Sequence, residues 1–362
     1  MIQAVISTVG TSLIGNLKNN KDHRDLLELL NCGDYAILGK ELRKISPSDR
    51  VCGAEINSLH QLLKREVFAQ VGRLDFCVSD TPEGVGLGDV LKSYYGDNFR
   101  VVVHQIEDLS GVNPERFRIY GLRNLARTLG RLVRDAGSPS YAALNCTGGY
   151  KAQVAIATLI GQALGSEVFY KHEQFTSIIA FPAMPISFDY SIFGRHADIL
   201  LPLERGEQLE AAEADVPVEL RPLLEELEID GQFLWALAPI GQIYLEGYRR
   251  TYPWEKNLPP DASADSRKSP TFGDDHHYPS SFKSYIERVW RQTPYITTAH
   301  SLSYSGQSGI QKRGFKVVPG HEYIVADYKK ADFGSRMALY TTAENEGHRL
   351  AAVEDLNSRF AD

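Results

Sequence analysis

Cysteine, methionine and tryptophan are scarce here, at four, three and three in 362 residues. The cysteines, Cys32, Cys52, Cys77 and Cys146, lie far apart and none forms a CxxC pair. That excludes a disulfide framework or a zinc knuckle at readable spacing, and it suits a reducing compartment. No apolar run approaches the ~18 residues that a membrane helix needs. MIQAVISTVGTS has no basic n-region and too short an apolar run for a signal peptide, so it reads as a first strand. A soluble, cytoplasmic chain with no membrane partner is the expectation. A strong charge of one sign is missing too. The net charge of −7 conceals 23 basic against 32 acidic side chains in residues 1–248, and 16 against 14 in residues 249–362. An anionic ligand for the front must therefore be held locally, by backbone amides and a few cations, and not by a global field.

What is present is ordinary for a globular protein, 43% hydrophobic and 23% charged. Length suggests two or three domains. Residues 1–190 alternate short apolar runs (AVISTVG, RLDFCVSD, FRVVVHQIE, YAALN) with patterns of helical period. Leu122, Leu125, Leu129 and Leu132 recur at helical spacing and Gly137 follows as a stop. A helix is expected from about Lys151 to Leu164, closed by Gly165, and then a strand pair in VFYKHEQFTSIIAFP. Buried strands alternating with helices imply an α/β, Rossmann-like domain with a mostly parallel sheet.

Two loops in that domain carry chemistry. STVGTS follows the first strand and NCTGGYK follows a later one. In an open parallel sheet both lie at the carboxyl edge, where ligands bind. They offer small hydroxyls, backbone amides, Asn145, Tyr150 and Lys151, an inventory for phosphates and bases. Neither is a P-loop or a GxGxxG turn. Taken alone, TGGYK reads more readily as a tight turn than as a ligand loop.

Together, STVGTS and NCTGGYKAQVAIAT resemble the paired motifs of CARF domains, the CRISPR-associated sensors of cyclic oligoadenylates in type III immunity. The resemblance covers about residues 1–190. It implies a two-fold homodimer with the cyclic ligand across its axis, cyclic tetra-adenylate being the expected ring, and no other cofactor. By motif, Gly10, Thr11 and Ser12 line one side of the ligand, and Asn145, Thr147, Gly148, Gly149, Tyr150 and Lys151 the other.

Residues 191–250 read as a small winged helix-turn-helix-like connector: PVELRPLLEELEI as an amphipathic helix, then strand, turn and helix in GQFLWALAPIGQIYLEGYRR. The acidic LEELEID run argues against direct DNA contact. Residues 251–280 have a linker's composition, rich in Pro, Asp and Ser. GDDHHY within it has the side chains of a metal site but no second cluster. Residues 281–362 read as one helix followed by strands in HEYIVADYKK, SRMALYTT and HRLAAVEDL, an α+β domain. Lys312, Arg313 and Lys316 form a basic patch before the sheet, readable as an RNA contact or a solvated turn.

The tail lacks the Arg–His spacing of a HEPN nuclease, and DYKK is a partial echo of a PD-(D/E)xK motif. It resembles RelE-type toxins, the ribosome-dependent mRNA interferases. That resemblance is loose and covers about residues 275–362. It implies a metal-independent endoribonuclease acting on mRNA at the ribosome. Arg336 would face the phosphorane charge, with Lys329 or Lys330 as base or electrostatic partner. Arg359 would clamp a second phosphate, and Tyr340 or His348 would stack or supply the acid. Two other readings stand beside it: a ligand-responsive transcription regulator, and a CARF-activated nuclease of another class.

Overall fold

A computed structural model describes residues 1–20, 22–175, 177–211, 216–274, 276–303, 310 and 312–361. The chain divides into two compact units, Met1–Phe188 with Ala238–Gly247, and Asp189–Leu237 with Tyr248–Asp362. Each is described by itself.

Unit 1 begins with β1 (Ala4–Thr8), α1 (Ser12–Asn19), α2 (Arg24–Cys32), α3 (Tyr35–Leu42) and α4 (Gly53–Leu63). It continues with β2 (Arg73–Ser79), α5 (Pro82–Tyr95) and β3 (Arg100–Ile106). The short α6 (Pro114–Arg116) passes through a π-turn into α7 (Leu122–Asp135), and β4 (Ala142–Asn145) follows. α8 (Lys151–Leu164), β5 (Glu167–Tyr170) and β6 (Ile179–Phe181) complete it. The expected helix over Lys151–Leu164 is observed, with Gly165 left-handed at its end (φ 77°). The sheet order is β3-β2-β1-β4-β5-β6, parallel except for β6, which runs antiparallel to β5. This is the doubly wound order, and the strand order reverses between β1 and β4. Successive residues of β1 serve opposite cores: Val5 packs with Leu13, Leu38 and Ile56, and Ile6 packs with Leu125, Leu144 and Ile160. That is why the strand is apolar throughout instead of alternating.

Unit 2 opens with α9 (Ser191–Arg205), then β7 (Leu209–Glu210), β8 (Leu224–Ile229) and β9 (Gln232–Leu237). Next come α10 (Pro239–Thr251), whose first nine residues belong to unit 1, and α11 (Ser280–Gln292). β10 (Ile296–Ser301), β11 (Gly314–Val317), β12 (Ile324–Lys330), β13 (Phe333–Thr341) and α12 (Glu346–Phe360) follow. One antiparallel sheet has the order β7-β9-β8 and the other β10-β13-β12-β11.

Three expectations fail here for physical reasons. PVELRPLLEELEI is not a helix: a 3-10 turn (Val218–Leu223) leads into β8, so the expected helix-turn-helix becomes a hairpin and a helix. Pro222 disfavours a helix, and Asp230–Gly231, with φ of 51° and 78°, forms the two-residue turn that pairs β8 with β9. HRLAAVEDL is not a strand but the body of α12. Asn345 caps it by accepting from the His348 amide, and the buried Leu350, Val353, Asn357 and Phe360 recur at helical spacing. Residues of the expected linker lie along β10, with Lys268 N–H donating to Thr297 O and Thr271 N–H to Ala299 O. A segment with a linker's composition thus covers a sheet edge.

Candidate functional site

The loops after β1 and β4 meet at the switch point of the unit 1 sheet. Thr8 Oγ1 donates to Gly148 O at 2.6 Å. A Cβ on Gly10 would lie 2.4 Å from Gly149 N, so the two glycine backbones touch. Gly149 has φ 102°, a conformation that favours glycine. α8 starts directly after it, with no side chain capping its first amides and no acidic residue in its first turn. Such an end is receptive to an anion.

The nine residues expected at the ligand divide by exposure. Thr11, Gly149, Tyr150 and Lys151 are exposed, and Gly10, Ser12 and Thr147 are half-buried. Tyr150 stands against Phe117 at 5.2 Å between ring centres. Asn145 and Gly148 are buried. Asn145 donates to Ser58 Oγ at 2.9 Å and accepts from Thr147 Oγ1 at 2.7 Å. It therefore shapes the loop from beneath instead of facing a ligand.

Glu55 went unnoticed in the sequence. It lies on α4 and is 3% exposed. Its Oε1 accepts from Gly10 N–H at 2.7 Å, and its carboxylate sits against Gly148. Burial pushes the carboxyl up from its ordinary value, although hydrogen bonds from Gly10 and Ser12 act the other way. The ionised form therefore costs stability above its folded pKa and nothing below about 4.5, the unfolded value. Glu55→Gln keeps an acceptor for the Gly10 amide and removes the charge. The variant should melt higher than wild type at pH 7, and the difference should vanish as the pH falls to about 4.5. Thermal melts at both values check this.

Beside the loops lies a cleft of about 440 Å³, lined by Ser12 and Thr147 and also by Arg50, Asn57, Lys171 and His172. Lys171 and His172 follow the carboxyl end of β5, the same sheet edge that marked the first two loops. Applying that rule to a third strand would have found them. Arg50 pairs with the exposed Glu173 at 3.2 Å, a contact worth at most about 1 kcal/mol that an anion can replace. The buried thiols are poor nucleophiles, since burial pushes Cys52 and Cys77 up to about 12.

In unit 2, strand alternation puts Asp327, Lys329, Arg336 and Tyr340 on one sheet face. Arg336 Nε donates to Asp327 Oδ1 at 3.0 Å. Tyr340 is packed by His300 and Tyr323, at 5.5 and 5.6 Å between ring centres. The other expected residues do not join them. Lys330 follows Lys329 and so points to the opposite face, which separates the two ammonium groups. α11 and α12 cover the face that carries Tyr328 and Phe315. Arg359 is on α12, where it pairs with Asp355 at 2.9 Å and donates to Gln292 O. His348 lies in the first turn of α12. Both expectations rested on a terminal strand that is in fact a helix. Asp275 of GDDHHY and Gln311 beside the basic patch lie outside the described residues. No three His, Cys, Asp or Glu side chains gather as a metal-binding group among the described residues. No described helix is long and apolar enough to cross a membrane.

Residues 50–184 match a family model described as CRISPR-associated protein (Cas_APE2256). The match lies wholly within unit 1. No curated protein matches the chain. Two solved structures align with it loosely. Can2 from Sulfobacillus thermosulfidooxidans in complex with cyclic tetra-adenylate aligns at 7% identity over 99% of this chain and 84% of its own, with a TM-score of 0.28. Protein VC1899 from Vibrio cholerae aligns at 8% identity over 99% and 86%, with a TM-score of 0.26. Alignments this loose carry no weight for fold or function. The family resemblance is confined to residues 50–184.

Proposed function

We propose that the chain is a CRISPR-associated effector in which unit 1 senses a cyclic oligoadenylate and unit 2 cleaves RNA. One observation carries the sensor reading. Two loops more than 130 residues apart meet at the sheet's switch point, before an uncapped helix N-terminus, within the region matched to the family. Gly10, Thr11, Ser12, Thr147, Gly149, Tyr150 and Lys151 hold the phosphates and bases. Lys171 and Arg50 add cations. The ligand sits between two copies of the chain, and cyclic tetra-adenylate is the ring to test first.

The RNA-cleaving reading rests on the helix and antiparallel sheet of the tail and on one sheet face bearing Lys329, Arg336 and Tyr340. A metal-independent, RelE-like mRNA interferase fits that face, since RNA supplies its own 2′-hydroxyl nucleophile. A regulator is less well supported: the first helix of the expected helix-turn-helix is absent, and Arg249 is committed to Glu204 and Glu354.

The test is cleavage of an mRNA in a purified translation system, with and without cyclic tetra-adenylate. Ligand-stimulated cutting that needs ribosomes is expected, and Lys151→Glu should lose both ligand binding and stimulation. Cutting of naked RNA would move unit 2 to another nuclease class. A ligand-independent, RNA-inert protein would sink the reading.

A further inference from the structure

Unit 2 contains a second cluster of charged groups that local sequence pattern offers no reason to join. It lies in a cavity of about 430 Å³ whose wall includes Arg195, His196, Asp198, Glu219, Lys312 and Lys316. That volume is in the range of small-ligand sites. α9 supplies the first three residues, the turn before β8 supplies Glu219, and β11 with the residues before it supplies the lysines. α9 is interrupted here: His196 has φ −133° and ψ 24°, which are not helical.

The groups fall into two sets. In one, His196 Nε2 lies 2.5 Å from Glu219 Oε1, and Arg195 holds the same carboxylate. Glu219 is held below its ordinary value by His196 and then by Arg195. The carboxylate fixes one ring nitrogen of His196, which is how a histidine base is oriented. In the other set, Lys316 Nζ donates to Asp198 Oδ2 and Asp327 Oδ2, each at 2.9 Å. This ammonium stands between two carboxylates. The two carboxylates keep Lys316 charged against the opposing effect of burial. Lys312 is the converse, since burial outweighs its pairing with Glu207 and lowers it. A lysine so placed gives up a proton more readily. The second oxygen of Asp198 is buried with no hydrogen-bond partner among the described residues.

We propose that this cavity is a phosphodiester-cleaving site, with His196 oriented by Glu219 as general base, Lys312 as general acid and Lys316 as the cation facing the phosphorane. The substrate class is RNA, and the proposal rests on the RNA-cutting reading of unit 2. The ribose 2′-oxygen attacks the adjacent phosphorus while the bond from phosphorus to the 5′-oxygen breaks. His196 takes the 2′ proton, and Lys312 gives one to the departing 5′-oxygen. The products are a 2′,3′-cyclic phosphate and a 5′-hydroxyl, with no oxidant or co-reactant. Arg336, bonded to Asp327, is then a positioning residue one ion pair away from the chemistry.

The full chain with cyclic tetra-adenylate is assayed for mRNA cleavage, and product ends are analysed. His196→Ala should lower kcat by about 10²- to 10⁴-fold, the usual contribution of acid–base catalysis, with KM little changed. Ligand binding at unit 1 and the melting curve should stay as in wild type. Wild-type product ends should be cyclic phosphate and 5′-hydroxyl. Wild-type rates in His196→Ala, or 5′-phosphate ends, would overturn the proposal and leave the RNase reading intact. If wild type cuts no RNA, the RNase reading fails, and the cavity is judged by titration with adenosine 3′-monophosphate. Binding weakened at least tenfold by Lys312→Ala supports a nucleotide site there, and no binding by wild type ends the proposal.

Discussion

Gly10→Ala is expected to abolish binding of cyclic tetra-adenylate and to lower the stability of unit 1. The added Cβ would lie 2.4 Å from Gly149 N and 3.1 Å from Gly149 Cα. Both are backbone atoms, so no side-chain rotation relieves the clash. The loops must separate, and two contacts go with them: the Thr8 hydroxyl on Gly148 O and the Gly10 amide on Glu55. Overpacking of this kind costs about 1–3 kcal/mol. The effect on binding should be larger than the effect on folding, at least about 100-fold, because misplacement by an ångström is enough to lose an assembled site. Calorimetric titration and a thermal melt of the same variant separate the two. Gly15→Ala is the control, since a Cβ there meets nothing within 4 Å. Equal binding by Gly10→Ala and wild type would show that these loops do not form the ligand site.

Arg249→Met should be the most destabilising single change in unit 2. Arg249 makes two bonds to Glu204, at 2.6 and 2.7 Å, and a third to Glu354 at 3.1 Å. The carboxylate side chains are 11% and 6% exposed. Removing the cation leaves two buried negative charges facing each other, and breaking a buried pair in this way costs about 3–5 kcal/mol. The residues come from α9, the end of α10 and α12, so the loss should appear in the cooperative unfolding of the unit and not in local fraying. Replacing Glu204 and Glu354 by Gln together with Arg249→Met should recover much of it, because no charge is then stranded. Urea unfolding of the single and triple variants checks both statements. A single variant as stable as wild type would mean that water reaches the three groups.

Local pattern gave some elements securely and others wrongly. YAALN, the helix after it and the stop at Gly165 are visible because period and glycine agree over adjacent residues. LEELEI suits a helix or a strand about equally, and its pairing partner and the Asp230–Gly231 turn decide for strand. The run LAAV in α12 is too short for period to choose, and the Asn345 cap settles it. The two loops were legible as types of loop from their glycines and hydroxyls. Which of those residues face outward was not legible, because Asn145 is turned inward by Ser58, a residue 87 positions away.

From residue order alone came the scarcity of cysteine, the alternating strands and helices of the front, and two loops suited to phosphate at a sheet's carboxyl edge. These follow from composition and short-range period, which specify which face of an element is apolar and where the backbone must turn. The meeting of the two loops, the carboxylate of Glu55 beneath them, the ion cluster around Arg249 and the His196 cavity follow from strand order and helix packing. Burial is shared across distant segments, and a charged side chain carries no local mark of the partner that burial will assign to it. Lys316 shows the difference. In sequence it belongs to a basic patch, and in the fold it is held between two carboxylates, Asp198 lying more than a hundred residues away.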